Sequence, residues 1–115
     1  MSELRQGEVY WIDFRPTAGS APTERHPCVV VQSDVFNRSR IATTVAVALT
    51  SNLRLGAAPG NVLVPKRASG LPKDSVANVS PVVTVHRDVL TARAGKLGGE
   101  LLAAVEDGLR LVLDL

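Results

Sequence analysis

Up to Val85 the apolar residues come in short runs with a period near two, and only the last stretch of the chain changes to a helical period. Glu8 to Phe14 (EVYWIDF) alternates, with Val9, Trp11 and Asp13 on one side and Tyr10, Ile12 and Phe14 on the other, which predicts a strand with both faces partly covered. Pro27 opens a second run, Cys28 to Gln32, that is β-branched and too short for a helix. Thr43 to Leu49 (TTVAVAL) is the third predicted strand, followed by Thr50, Ser51 and Asn52, and short strands are expected at Asn61–Val64, Ser75–Val79 and Val82–Val85. Between these runs, Arg15 to Arg25 holds Pro16, Gly19, Ser20 and Pro22 and reads as a loop; a second loop runs through Gly60, and a basic one surrounds Lys66, Arg67 and Gly70. Asp34 is placed to cap a single helical turn through Phe36 and Asn37, after which Arg38-Ser39-Arg40 reads as exposed. Five or six short strands joined by Gly/Pro turns favour a small closed barrel, because closure removes the exposed edges.

The carboxyl end is different. Leu101, Leu102, Val105, Leu109, Val112 and Leu113 fall within an arc of about 120° at 100° per residue, opposite Glu106, Arg110 and Asp114. This predicts an amphipathic helix, entered after Gly98-Gly99, that packs on the barrel. Gly108 sits at the edge of the apolar stripe, where intrinsic propensity sets its cost at about 1 kcal/mol relative to Ala.

At 115 residues, 45% of them apolar, residues 1–115 fit one domain with a core that requires neither metal nor disulfide. Cys28 is the only cysteine and has no intramolecular partner, which points to a reducing, cytoplasmic setting. Met1 to Gly7 is polar, unlike a secretory signal, and no apolar run approaches the ~20 residues that span a bilayer, so no membrane is expected. The net charge of +2 hides a pronounced distribution: residues 15–73 carry eight basic side chains (Arg15, Arg25, Arg38, Arg40, Arg54, Lys66, Arg67, Lys73) against Glu24 and Asp34, while both flanks are net acidic. A basic central block favours an anionic partner.

Candidate chemistry narrows that partner. His26 and His86 lack ligand-spaced companions, so no metal site and no cofactor are expected; Gly98-Gly99 lacks the context of a phosphate-binding loop, and no Ser sits in a nucleophile elbow. What remains is a pair of segments that a barrel brings together: one with Glu24, Arg25 and His26, the other with Thr50, Ser51 and Asn52. They offer a carboxylate, a guanidinium, an imidazole and two hydroxyls. When RNA is cleaved by its own 2′-hydroxyl, the protein supplies only a proton acceptor, a proton donor for the leaving 5′-oxygen and positive charge or N–H groups for the phosphorane. These residue types suffice for that, although in loops they also serve as ordinary solvated surface.

The residues resemble the MazF/PemK family of toxin endoribonucleases across nearly the whole chain. The resemblance rests on Gly7-Glu-Val-Tyr-Trp-Ile-Asp-Phe-Arg-Pro16, Gly19-Ser20, Pro27-Cys-Val-Val-Val-Gln-Ser-Asp34 with Asn37-Arg38, Leu49-Thr50-Ser51, Asp74-Ser-Val-Ala-Asn-Val79 and the Leu-rich terminal helix. It implies a mainly β, SH3-like barrel of five to seven strands with a C-terminal helix, as in MazF, PemK and CcdB, and a homodimer. It also implies metal-independent, sequence-specific cutting of single-stranded RNA that leaves a 2′,3′-cyclic phosphate and a 5′-hydroxyl. A cognate antitoxin with an acidic disordered segment is the implied partner, and the basic block suits both polyanions.

The family hydroxyl matches at Thr50, which is expected to contact the scissile phosphate. Where the family has Arg before the proline of the second strand, this chain has His26, with Arg25 one place earlier; a Glu that often follows Gly-Ser is replaced by Ala21, with Glu24 further on, and Pro81 stands where Gln is common. Either Arg25 supplies the charge or His26 acts as acid or base. Arg38 and Arg40 are candidates for flanking phosphates, Lys66, Arg67 and Lys73 for the groove, and Glu24, Ser51 and Asn52 for further RNA contacts; solvated turns and capping are the competing roles. His86 is expected to be structural or exposed, and Trp11 to lie in the core or at a dimer surface. Two alternatives remain: a non-enzymatic barrel toxin that inhibits DNA gyrase through its terminal helix, and a catalytically impaired antitoxin- or RNA-binding module.

Overall fold

The computed structural model describes residues 3–14 and 24–115, with the backbone alone at Phe14 and Glu24. The elements run β1 (Glu8–Phe14), β2 (Glu24–Val30), α1 (Asp34–Asn37), β3 (Thr43–Thr50), a 3-10 turn (Leu53–Ala57), β4 (Val62–Val64), α2 (Lys66–Ser69), β5 (Ser75–His86), a second 3-10 turn (Arg87–Val89), β6 (Leu90–Lys96) and α3 (Gly99–Leu113). All six strands form one antiparallel sheet in the order β4-β5-β3-β2-β1-β6, curled into a half-barrel with the C-terminal helix against it. The mainly β architecture with a terminal helix is the one expected from the sequence.

Closure differs from expectation. β4 and β6 are the two edges of the sheet, and the gap between them is crossed by α2, whose C-cap Gly70 lies on β6 at Gly95. A Cβ on Gly70, which has φ +81°, would sit 2.1 Å from the Ala94 carbonyl oxygen, and one on Gly95 would sit 2.5 Å from that of Ser69. Only glycine on both sides permits this contact, which covers the edge that an open sheet would expose.

Other boundaries also move. The predicted loop through Arg25 lies outside the described residues at 15–23, but Glu24 and Arg25 already belong to β2, and Pro27 falls inside that strand instead of opening it. The two strands expected at Ser75–Val79 and Val82–Val85 are one, β5, in which the ladder to β3 slips from Val47↔Val82 to Ala48↔Asn78. Pro81 sits in that bulge, where its missing N–H costs no ladder bond. β6 (LTARAGK) was not anticipated, since Ala and Gly give it little strand character by themselves; it forms by pairing with β1. α1 is capped by Ser33, whose Oγ accepts from Val35 N at 3.2 Å, while Asp34 Oδ1 accepts from Gln6 N at 2.6 Å and ties the amino-terminal segment to α1.

Both sheet faces are packed, as the alternation in β1 required. Val9, Val29, Val47, Leu49 and Ala77 share one core with Leu97 and Val105, against which Leu101, Leu102 and Leu109 of α3 pack. Tyr10, Ile12, Cys28, Val30, Ala46 and Val85 form the other core with Leu4. Of the predicted stripe on α3, Val112 and Leu113 instead remain exposed, together with Leu111 and Leu115, because the last turn of the helix runs past the strands that bury the rest. Among the described residues no helix is long and apolar enough to cross a membrane.

Candidate active site

The site arises from a split between β2 and β3. β2 stays paired with β1 from Val29 back to Glu24, and β3 stays paired with β5 out to Thr50, but β2 and β3 pair with each other only over Cys28↔Ala48, Val29↔Val47 and Val30↔Ala46. Pro27, with no N–H to donate, stands where that ladder ends. Continuing the register across the split sets His26 level with Thr50 and Arg25 level with Ser51. The strands separate there, and a cleft of about 510 Å³ opens between them.

Side-chain alternation distributes the candidates. Successive residues of a strand point to opposite faces, so neighbouring Arg25 and His26 approach the cleft from different sides. Arg25 shares its face with Trp11, and its guanidinium carbon lies 4.8 Å from the centre of the indole ring. His26 and Thr50 share the other face with Ile12, Cys28 and Ala48. The cleft walls comprise Arg25, His26, Thr50, Ser51 and Lys73, and the apolar floor includes Ile12, Cys28, Ala48, Leu49 and Val83.

Thr50 has defined hydrogen-bond geometry. Its Oγ1 accepts the Asn52 backbone N–H at 3.2 Å, which orients the hydroxyl and leaves its own O–H to donate into the cleft. Burial pushes the Cys28 thiol up to about 12, so it enters the floor as a neutral apolar group, in keeping with its expected core role. A cleft with two basic side chains and an imidazole on its walls and an apolar floor is suited to an anion that carries a flat or apolar body.

Five of the sequence-derived candidates thus meet: Arg25, His26, Thr50, Ser51 and Lys73. The others lie elsewhere. Asn52 caps the 3-10 turn, its Oδ1 accepting from Arg54 N at 3.3 Å; Arg38 and Arg40 are exposed beyond α1; Lys66 and Arg67 are on α2, where Lys66 N donates to Asp74 Oδ1 at 2.9 Å. Glu24 begins β2 at the rim of the split. Sequence reasoning missed Trp11, Leu71, Pro72 and Ser75 as cleft residues. For Trp11 a signal existed, since a strand residue two places before Asp13 faces whatever pairs with Asp13; the partner became known only with the register Asp13↔Arg25. His86 is exposed and caps the second 3-10 turn through Nδ1, a structural role as expected.

A curled sheet backed by one helix, with a basic cleft where two central strands part, defines a small half-barrel protein. The chain belongs to the family described as the PemK-like, MazF-like toxin of type II toxin-antitoxin systems, whose model matches residues 5–113. Endoribonuclease MazF6 of Mycobacterium tuberculosis is 46% identical over 112 residues, covering 97% of this chain and 98% of that protein. In fold, the chain matches the MazE-MazF crystal structure (Form-II) from Deinococcus radiodurans with a TM-score of 0.83 at 21% identity, covering 100% of this chain and 99% of that one. It also matches an endoribonuclease in complex with its cognate antitoxin from a mycobacterial species, with a TM-score of 0.76 at 23% identity, covering 100% and 97%.

Proposed function

We propose that this chain is an endoribonuclease toxin that cleaves single-stranded RNA in the β2–β3 cleft, with the substrate's own 2′-hydroxyl as nucleophile. The observation that carries this proposal is the convergence of Thr50, Arg25 and His26 on one cleft in a member of a toxin family whose 46% identical relative is named an endoribonuclease. Thr50 donates its O–H to a non-bridging oxygen of the scissile phosphate. His26, on the same face and level with it, takes the proton from the 2′-hydroxyl as that oxygen attacks and returns it to the leaving 5′-oxygen. Arg25, entering from the opposite face, neutralises the charge that builds on the phosphorane. The 2′-oxygen forms a bond to phosphorus as the bond to the 5′-oxygen breaks, so the products carry a 2′,3′-cyclic phosphate and a 5′-hydroxyl.

Single strands are the substrate because unpaired base edges reach a cleft of this size, whereas A-form helices hide them. Lys73 and Ser51 on the walls bind the flanking backbone, and sequence preference comes from the cleft lining. Glu24, Asn52, Lys66 and Arg67 lie outside the cleft lining, where they bind RNA beyond the cut, whereas Arg38 and Arg40, past α1 at the opposite end of β2 and β3, are reached only by RNA that runs the length of both strands. An antitoxin with an acidic segment competes for the same basic surface, as the complexes of the structural relatives suggest; the toxin acts as a homodimer in the cytoplasm.

Three variants test the assignment: Thr50→Ala, Arg25→Ala and His26→Ala are compared with the parent on a long unstructured RNA. Each is expected to slow cleavage by at least tenfold, corresponding to about 1.4 kcal/mol, and His26→Ala alone flattens the pH–rate profile. Parent-like rates in all three would overturn the site. Intact RNA with inhibited gyrase would point to the topoisomerase alternative.

A further inference from the structure

We infer that Trp11 is a positioning residue for Arg25: its indole face is the shelf that holds the guanidinium at the cleft wall. This rests on the assignment of Arg25 to phosphorane charge above.

Three observations carry it. The guanidinium carbon lies 4.8 Å over the Trp11 ring, within the range in which a cation is attracted to an aromatic face. Asp13 stands directly across the ladder from Arg25, and among the described residues the guanidinium contact is with Trp11, one pair further along the same face. The ring is itself held: Trp11 is half-buried, packs against the core formed by Val9, Val29, Val47 and Leu49, and sits in β1 between two paired strands, so it has little freedom to follow the exposed arginine. A fixed ring beneath a long flexible side chain restricts the side chain, not the ring. An arginine with several rotatable bonds loses much of its freedom on being placed against the phosphate; stacking incurs part of that loss before RNA arrives.

The consequence falls on the chemical step. A pre-placed guanidinium stabilises charge that develops in the transition state more than it does the ground-state phosphate, so weakening the shelf lowers kcat and leaves KM nearly unchanged. A tryptophan that instead stacked on a base would show the opposite pattern.

The chain has one tryptophan, so growth on fluorinated tryptophans alters Trp11 alone while preserving its shape. Mono-, di- and trifluorination progressively weaken the negative potential of the ring face that attracts the cation. The substrate is an oligonucleotide carrying a cleavage site mapped on the long RNA, assayed with enzyme in excess. We expect the maximal rate to fall stepwise with fluorine number, by about threefold to fivefold in total, with half-saturation within twofold and thermal midpoints unchanged. In an Arg25→Ala background the dependence on fluorine vanishes. A rate independent of fluorination, a dependence that persists without Arg25, or an effect confined to half-saturation overturns the proposal. If Arg25→Ala alone cleaves at the parent rate, the catalytic assignment of Arg25 fails first.

Discussion

Replacing Gly108 by alanine sets helix propensity against packing, and the structure decides the sign. Within an exposed helix interior, Gly→Ala stabilises by about 1 kcal/mol. Here α3 crosses the loop before β4 so closely that a Cβ at position 108 would lie 2.1 Å from the Gly60 carbonyl oxygen and 3.0 Å from its carbon. That neighbour is backbone, and it is anchored. Adjacent Asn61 donates to Leu55 O at 2.8 Å and to Asn78 Oδ1 at 3.1 Å, and its Oδ1 accepts from Val79 N at 3.0 Å. To reach an ordinary contact the loop must retreat by more than 1 Å, which strains those bonds or lifts α3, with its buried Val105, away from Val79. Overpacking of this kind costs about 1–3 kcal/mol, and the partial loss of a buried hydrogen bond adds about 1 kcal/mol, so after the propensity gain Gly108→Ala is destabilised by about 2 kcal/mol. For a chain of this length the melting temperature falls by roughly 8 °C. The assay is thermal and urea unfolding followed by circular dichroism, with Gly99→Ala as control, since a Cβ there meets nothing within 4 Å. An unchanged or raised stability for Gly108→Ala would mean that the Gly60 carbonyl makes room without cost, contrary to this packing.

Further outcomes follow from charged groups. The Gln6 N–H and Asn37 amide that bond the Asp34 carboxylate hold it below the usual carboxylate range. A lowered folded value means that this stabilisation is present above the unfolded value near 4 and is lost as the pH falls through the folded one. Asp34→Asn is therefore expected to lose roughly 0.5–1 kcal/mol at pH 7, the carboxylate being largely solvent-screened, and nothing near pH 2, as measured by urea unfolding at both pH values. Arg93 Nε donates to the buried Glu8 carboxylate at 2.6 Å, so Arg93→Ala strands a carboxylate left with the Arg5 N–H and the Tyr10 hydroxyl; a loss of about 1–3 kcal/mol is expected. Arg110→Ala removes an exposed pair with Asp107 and should change stability by less than about 0.5 kcal/mol; similar losses in the two variants would contradict the assignment.

Much of the fold was legible because short-range patterns agreed with it. The alternation in EVYWIDF and TTVAVAL gave β1 and β3, and the 3.6-residue stripe from Leu101 to Leu109 placed α3 on the sheet. What could not be read depended on partners distant in sequence. LTARAGK becomes a strand because β1 supplies a ladder, and Glu24-Arg25-His26 is strand rather than loop for the same reason, although Pro27 suggested otherwise. Gly108 looked like a cost to the helix until its neighbour Gly60 was in view. At the site, the meeting of Thr50 with Arg25 and His26 was foreseeable from segment order. Their placement on opposite faces of the split, and the tryptophan beneath Arg25, required the register.

If the β2–β3 cleft cuts RNA with the substrate's own 2′-hydroxyl, the termini it leaves record that chemistry. Incubating the purified protein with a long single-stranded RNA in EDTA and identifying the new termini tests it most directly. Fragments ending in a 2′,3′-cyclic phosphate and beginning with a 5′-hydroxyl, absent when Thr50→Ala replaces the parent, are the predicted result. Intact RNA, or fragments ending in a 3′-hydroxyl and beginning with a 5′-phosphate, would contradict it.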